Sequence, residues 1–274
     1  MIHSSAVVDP KAEIAEGVEI GPCVVIEGPV KIGPRTRLVA FVHVSGHTEI
    51  GADNVIHPFA VVGHEPQHMG YKGEPTRLVI GDRNVIREHA EIHRGTVQGI
   101  GETVVGNDNL VMGHAHIGHD CVIGNHVTLV NGALLGGHVE VHDRAFVSGN
   151  VVVHQYARIG RLAIVQGLGG VGKDVLPFAM ASGIDTIVST NVVGLKRAGY
   201  DATTRERIRN AFRLFFRLPL GEAVEEAQRL DPSDEVREIV EFIAGTRRGI
   251  SRFGRNKRMA PRRLPMRHVL EREM

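Results

Sequence analysis

A strict repeat of six residues governs most of this chain and leaves few folds open to it. Stepping by six from Ile2 meets Val8, Ile14, Ile20, Ile26, Ile32, Leu38, Val44, Ile50, Ile56 and Val62 without a break. The series resumes at Ile80, Ile86 and Ile92, and again from Val105 through Ile117, Leu135 and Val153 to Val171. Neither a helical period of about 3.6 nor the two-residue alternation of a simple strand produces such a pattern. It predicts a triangular coil in which each hexad supplies a short strand and a corner. Three hexads then complete a turn of eighteen residues, and each branched aliphatic stacks inward on its counterpart one turn away. Glycine often follows the aliphatic, as in Ile20-Gly21 and Ile117-Gly118, and small residues such as Ala6, Ala60 and Cys121 stand four places after it. Both are expected to fit the tight corners. With no tryptophan, 3 tyrosines and 9 phenylalanines, the core has to be built from Ile, Val, Leu and Ala.

The repeat lapses between Val62 and Ile80 and between Ile92 and Val105. These lapses predict excursion loops near 63–79 and 93–104. In repeat folds such insertions often form the binding face. After Pro177 the repeat fades. Helical spacing then appears in about 203–217, with Ile208, Ala211, Phe212, Phe215 and Phe216 on one face, and again in about 220–230. A third helix is expected after Ser233, a candidate N-cap, with Val236, Ile239, Val240 and Ile243 on its apolar face. The expected domains are therefore a coil over 1–189, a helical unit over 190–250 and a basic tail over 251–274. Residues 246–274 hold ten Lys or Arg against two Glu. A solvated, poorly ordered tail is the favoured reading, with weak contact to anionic lipid or to an acidic partner as the alternative.

The formal net charge of +1 excludes a polycation built for nucleic acid. The two cysteines, Cys23 and Cys121, are far apart and form no CxxC pair, which suits a reducing compartment. Met1-Ile2-His3-Ser4-Ser5 lacks the basic and apolar segments of a secretion signal, and no apolar run is long enough to cross a bilayer. A cytoplasmic location is expected.

Of 16 histidines, seven fall between 114 and 154. Counting by eighteen places the hexads that begin at Ile117, Leu135 and Val153 on one face of successive turns. His119, His138 and His154 are thereby expected in a row near one edge, with His116 beside them. A single exposed histidine is often without function, but a row on one edge asks for an explanation. If three such coils close into a ring, this edge faces a cleft between neighbours. Asp120 follows His119 directly. A carboxylate that accepts from one imidazole nitrogen sets the tautomer and leaves the other nitrogen as a base. Such a base suits removal of a proton from a hydroxyl near neutral pH. No serine stands in a nucleophile-elbow setting, which favours direct transfer over a covalent intermediate. Acyl transfer also needs a donor for the developing oxyanion, and in Gly136-Gly137-His138 the Gly137 N–H is assigned that role.

Several segments together carry a family resemblance: Gly73-Glu74-Pro75-Thr76-Arg77, Ile92-His93-Arg94-Gly95-Thr96-Val97-Gln98-Gly99, His116-Ile117-Gly118-His119-Asp120-Cys121, Gly137-His138-Val139, Val153-His154-Gln155 and Gly194-Leu195-Lys196-Arg197. In this order they closely resemble the UDP-N-acetylglucosamine O-acyltransferases, which catalyse the first step of lipid A biosynthesis. The resemblance covers about residues 1–250. It implies a left-handed parallel β-helix, mainly β, with a C-terminal α-helical domain, assembled as a cytoplasmic homotrimer. It further implies transfer of an (R)-3-hydroxyacyl chain from acyl carrier protein to the 3-position of a UDP-amino sugar, with no metal or other cofactor. On that pattern His119 is the base, Asp120 its orienter and Gly137 the oxyanion donor. His116, His138 and His154 line the sugar and pantetheine cleft, while Gln155, Asn191 and Arg197 serve the nucleotide. Gln67 reaches the donor or sugar, and Gly167 marks the end of the acyl pocket. The chain departs from the pattern at Gln67-His68-Met69-Gly70, where the family reads Gln-Asp-Leu-Lys. His68 thus stands at a substrate position that is usually acidic, and Val193 and Ala198 stand where polar nucleotide contacts are common. A sugar bearing a 3-amine, acylated to an amide, is a further acceptor consistent with these changes. Two alternatives stay open at this point. One is a zinc enzyme of the hexapeptide-repeat carbonic anhydrase type using His114 and His119, and the other is a different acyltransferase on the same scaffold.

Overall fold

In the computed structural model, which describes residues 1–254, the hexads form a three-sided prism of parallel β-coils. One face is a nine-stranded sheet running from Val7–Val8 to Gly170–Val171. The second is an eight-stranded sheet from Glu13–Ile14 to Arg158–Ile159. The third begins at Glu19–Ile20 and has 11 strands. Most strands are two residues long, the outer one facing solvent and the inner one buried, as in Lys31–Ile32 and Leu134–Leu135. Register follows the aliphatic series: Val8 pairs with Ile26, Ile92 with Ile117, Ile117 with Leu135 and Leu135 with Val153. Most of these inner side chains are almost wholly buried, and each full burial stabilises the coil by about 1.5–3 kcal/mol.

The corners differ from the expectation in one respect. Their left-handed backbone positions are mostly not glycines but residues such as Arg35, Phe41, Asp53, His114, Asp120, His138 and Tyr156. The glycines after the aliphatics serve a different purpose. A side chain on Gly21 or Gly33 would overlap the backbone of the next coil, so these glycines permit close stacking of turns rather than an unusual φ.

Both excursions leave the same corner, between the first and second faces. Residues 65–76 connect Val61–His64 to Arg77–Ile80, and 94–101 connect Glu91–His93 to Glu102–Val105. Arg94 ties them together, donating to the Gly63 carbonyl at 2.9 Å and to the Tyr71 hydroxyl at 2.6 Å.

At the C-terminal end come α1 (Val192–Arg197), α2 (Ala202–Phe215), α3 (Leu220–Leu230) and α4 (Asp234–Ala244). The last three match the helical spacing, and Ile208, Ala211, Phe212, Phe215, Val236 and Ile239 are buried as expected. Asp201 caps α2 by accepting from Thr204 N–H. Ser233 does stand at the N-cap of α4, but its hydroxyl makes no capping bond. Arg158 and Arg161 join this unit to the coil, the first through the Phe242 carbonyl and the second through Glu238. The tail boundary moves. Ser251 is buried, and Arg252–Phe253 adds a parallel strand beside Thr186–Thr190. The expectation for the rest of the basic tail, with its lipid or carrier contact, lies outside the described residues.

Candidate active site

His119 and Asp120 sit at the corner from which both excursions spring, between His116–Ile117 and Val122–Ile123. The His119 Nδ1–H donates to Asp120 Oδ2 at 2.7 Å. The Asp120 carboxylate also accepts from Thr96 N–H at 3.0 Å and from the Thr96 hydroxyl at 2.7 Å, while the Asp120 N–H donates to Thr103 Oγ1. Thr96 belongs to the second excursion, which therefore folds back to hold the carboxylate. Burial pushes the Asp120 carboxyl up, but the hydrogen bonds from His119 and Thr96 outweigh it and hold it below the usual carboxylate range. Asp120 is thus a buried, fixed anion whose lone pairs are occupied. With Nδ1 committed to it, the lone pair of His119 lies on Nε2.

Coil arithmetic places Gly137 one turn beyond His119, and Gln155 one turn beyond that. A Cβ on Gly137 would lie 2.5 Å from His119 Cε1 and 2.7 Å from Nε2, so only glycine fits against this ring. Among the described residues the Gly137 N–H makes no hydrogen bond, whereas Gly136 N–H donates to Val153 O and His138 N–H to His119 O. The lone-pair nitrogen of His119 and the Gly137 N–H, which has no partner among the described residues, therefore lie on adjacent turns, an arrangement that could serve acyl transfer.

The neighbouring column holds Asp120, His138 and Tyr156 in the left-handed conformation. The His138 ring meets His119 edge-on at 5.0 Å and stacks on Tyr156 at 4.3 Å. Burial lowers the His138 pKa, with Asp120 opposing the shift, which favours the neutral ring. From the first excursion His68 approaches His119 edge-on at 5.2 Å. The Cys121 thiol is fully buried and pushed up to about 12 by that burial, which leaves no thiolate nucleophile beside the pair.

His119, Asp120, Gly137, His138 and His68 are thus brought together. The expected row of histidines is divided, however. His154 is exposed, its ring bonded to the Gln155 carbonyl, and makes no ring contact with His138. His116 instead packs against His93 at 5.1 Å and lies 3.4 Å from Glu91. Gln67 shares a groove of about 360 Å³ with Glu91 and His116. Asn191 is buried, with its amide engaged: it caps α1 through Gly194 N–H and donates to the Leu162 carbonyl. Arg197, at the end of α1, is exposed. Gly167 follows Ile164–Val165, which puts it at the corner between the third and first faces, across the first face from His119. His114 is at that same corner, stacked on His89 at 4.7 Å, so the pair of histidines on which the zinc alternative rested is not brought together within the chain. Thr96, Thr103 and Tyr156 carry no role in the sequence reading, and the signals for Thr96 are its place inside an excursion and within one of the segments that carry the resemblance.

Comparison with known proteins gives a consistent picture. Residues 102–137 match the model of the bacterial transferase hexapeptide, and 174–251 match that of "Udp N-acetylglucosamine O-acyltransferase; Domain 2". The chain is 46% identical over 255 residues to the acyl-[acyl-carrier-protein]–UDP-N-acetylglucosamine O-acyltransferase of Thermodesulfovibrio yellowstonii, covering 92% of this chain and 99% of that one. Among solved structures, the UDP-N-acetylglucosamine acyltransferase of Francisella novicida superposes with a TM-score of 0.89 at 40% identity, covering 93% of this chain and 95% of that one. The UDP-N-acetylglucosamine O-acyltransferase of Moraxella catarrhalis gives 0.88 at 37% identity, covering 92% and 99%. The coil is left-handed, as in those structures.

Proposed function

Because the chain belongs to the UDP-N-acetylglucosamine O-acyltransferase family, we propose that it moves an (R)-3-hydroxyacyl chain from acyl carrier protein to the 3-position of UDP-N-acetylglucosamine, the first step of lipid A biosynthesis, with His119 as general base. One observation carries the mechanism. The Nδ1 of His119 is bound to the buried Asp120, and its Nε2 lies against Gly137, whose N–H has no partner among the described residues.

In this reading His119 Nε2 takes the proton of the sugar 3-hydroxyl as its oxygen attacks the thioester carbonyl. The Gly137 N–H binds the oxyanion of the tetrahedral intermediate. The C–S bond then breaks, and the imidazolium returns its proton to the departing carrier thiolate. Asp120 keeps its charge throughout, and Thr96 keeps Asp120 in place.

Gly167, Asn191 and Arg197 lie away from this corner. Their roles toward acyl chain and nucleotide fit a cleft formed between protomers of a homotrimer, in which one chain's edge faces its neighbour. No helix among the described residues is long and apolar enough to cross a membrane, in keeping with a cytoplasmic enzyme. His68, standing where the family pattern is acidic, favours testing a second acceptor, the 3-amino analogue acylated to an amide.

The deciding experiment offers purified protein both sugars with hydroxyacyl carrier proteins of several lengths, alongside His119→Ala. Product that disappears in the variant supports the reading and sets acceptor and chain length together. Full turnover by a folded His119→Ala protein would remove His119 as the base.

A further inference from the structure

A second cluster of ionisable side chains lies on the outer surface of the first face. Glu91 and His116 are cross-strand partners there, and His93 follows two residues after Glu91. One ligand atom from each of these three residues lies within 4.8 Å of the other two. Glu91 Oε2 is 3.4 Å from His116 Nδ1 and 3.9 Å from His93 Nε2. Around a tetrahedral zinc ion with bonds of about 2.0–2.1 Å, donor atoms stand roughly 3.4 Å apart. The cluster is within a small side-chain rotation of that arrangement.

The decisive feature is His93. Its side chain is 7% exposed, and its Nδ1–H donates to the Glu65 carbonyl at 2.7 Å. A carbonyl can only accept, so the tautomer is set and Nε2 presents a lone pair. That buried Nε2 has no hydrogen-bond partner among the described residues, and the atom it approaches is a carboxylate oxygen. Two acceptors facing each other leave a place that a metal ion can fill. An imidazole oriented by a backbone carbonyl through its other nitrogen is also the usual state of a metal-bound histidine.

We propose that Glu91, His93 and His116 bind a divalent transition-metal ion, with zinc the best fit to two imidazoles and one carboxylate. Three protein ligands leave a fourth position open. Glu91 and His116 also line the groove that holds Gln67, which gives room there for water or an anionic oxygen of a ligand. The other compact group, His119, Asp120 and His138, is a weaker candidate, because its carboxylate already accepts from His119 and Thr96. Binding at Glu91, His93 and His116 does not depend on the acyl-transfer reading and is measured apart from it.

The test uses the full chain, stripped with a chelator and titrated with Co²⁺ while the visible spectrum is recorded. Zn²⁺ is titrated in parallel by calorimetry. One equivalent per chain, with the intense visible bands of tetrahedral cobalt, is expected. Glu91→Gln and His93→Ala, checked for folding by circular dichroism, should each weaken binding by at least about a hundredfold, since losing a direct ligand costs more than losing its support. The proposal fails if no saturable binding occurs below roughly 100 µM. It also fails if both variants bind like the parent, or if Asp120→Asn abolishes the signal while Glu91→Gln does not.

Discussion

Two corners of the same prism use the same backbone and do opposite things with it. At the corner between the second and third faces, Arg35 pairs with Asp53 at 2.6 Å and Arg83 with Asp108 at 2.8 Å, each on neighbouring coils. Just inside that corner, Asn54, Asn84 and Asn109 pass hydrogen bonds from coil to coil. Each of these groups finds its partner in the next turn. At the corner between the first and second faces, two excursions interrupt the coil. There the Nε2 of His119 and the N–H of Gly137 stay open, and the buried carboxylate is held by a loop rather than by the next turn. The comparison teaches that side-chain ladders lock one corner from coil to coil, whereas at the other an excursion loop holds the buried carboxylate and the His119 Nε2 is left free.

Substitutions can break that contrast, and the largest effect is expected at the proposed base. His119→Ala should lower kcat/KM by roughly 10²–10⁴-fold without unfolding the coil, as read by steady-state assay and circular dichroism. Gly137→Pro, which removes the donor, should cost at least about a hundredfold in kcat. Gly137→Ala keeps the N–H but puts a methyl group against His119, and it too should be impaired; unimpaired turnover by both variants would remove Gly137 from the mechanism. Thr96→Val deletes one bond to a charged group and should cost about tenfold or more in kcat. Its pH profile sharpens the point. Asp120 has a depressed pKa, so its contribution is complete above the ordinary value near 3.9 and is lost as pH falls through the folded value. Removing the Thr96 bond raises that folded value toward the ordinary one, so the acid loss of stability should start in the same place but be smaller and end at higher pH in the variant, as followed by thermal melts against pH. The smallest effect is expected at the other corner. Arg83→Ala breaks an exposed pair and should leave kcat/KM unchanged and the melting temperature nearly so.

The coil was legible because a branched aliphatic at every sixth place admits one packing solution, and the pairs Val8–Ile26 and Leu135–Val153 follow from counting alone. His119 and Asp120 were legible because they are adjacent in sequence. Counting failed wherever an excursion lengthens a turn. Glu91 pairs with His116 across 25 residues rather than eighteen, so the step that linked Ile117 to Leu135 passed over the group around His93. Thr96 was hidden for the same reason, since a loop returning to the coil leaves no period. The short helix α1 spans only Val192–Arg197, too few residues for a periodic signal, and the part Asn191 plays as its N-cap shows only in the structure. The left-handed corners escaped because the residues there, such as Phe41 and Tyr156, are poor formers of that conformation taken singly; stacked contacts such as Phe41 on Phe59 and His138 on Tyr156 offset a cost of about 1–2 kcal/mol each.

The brace between the excursions has a consequence in time. Each coil contacts only its neighbouring turns, so the prism can grow from its N-terminal end while the chain is still being made. The first excursion cannot settle then, because Arg94, which grips Gly63 and Tyr71, is synthesised later. Asp120 in turn waits for nothing beyond itself, since Thr96 and Thr103 already precede it. The reactive corner is therefore expected to close well before Arg158 and Arg161 receive α4, their partner from more than 70 residues downstream. A nascent chain halted after Tyr156 would already hold both residues proposed as base and oxyanion donor, with the closing helices still to come.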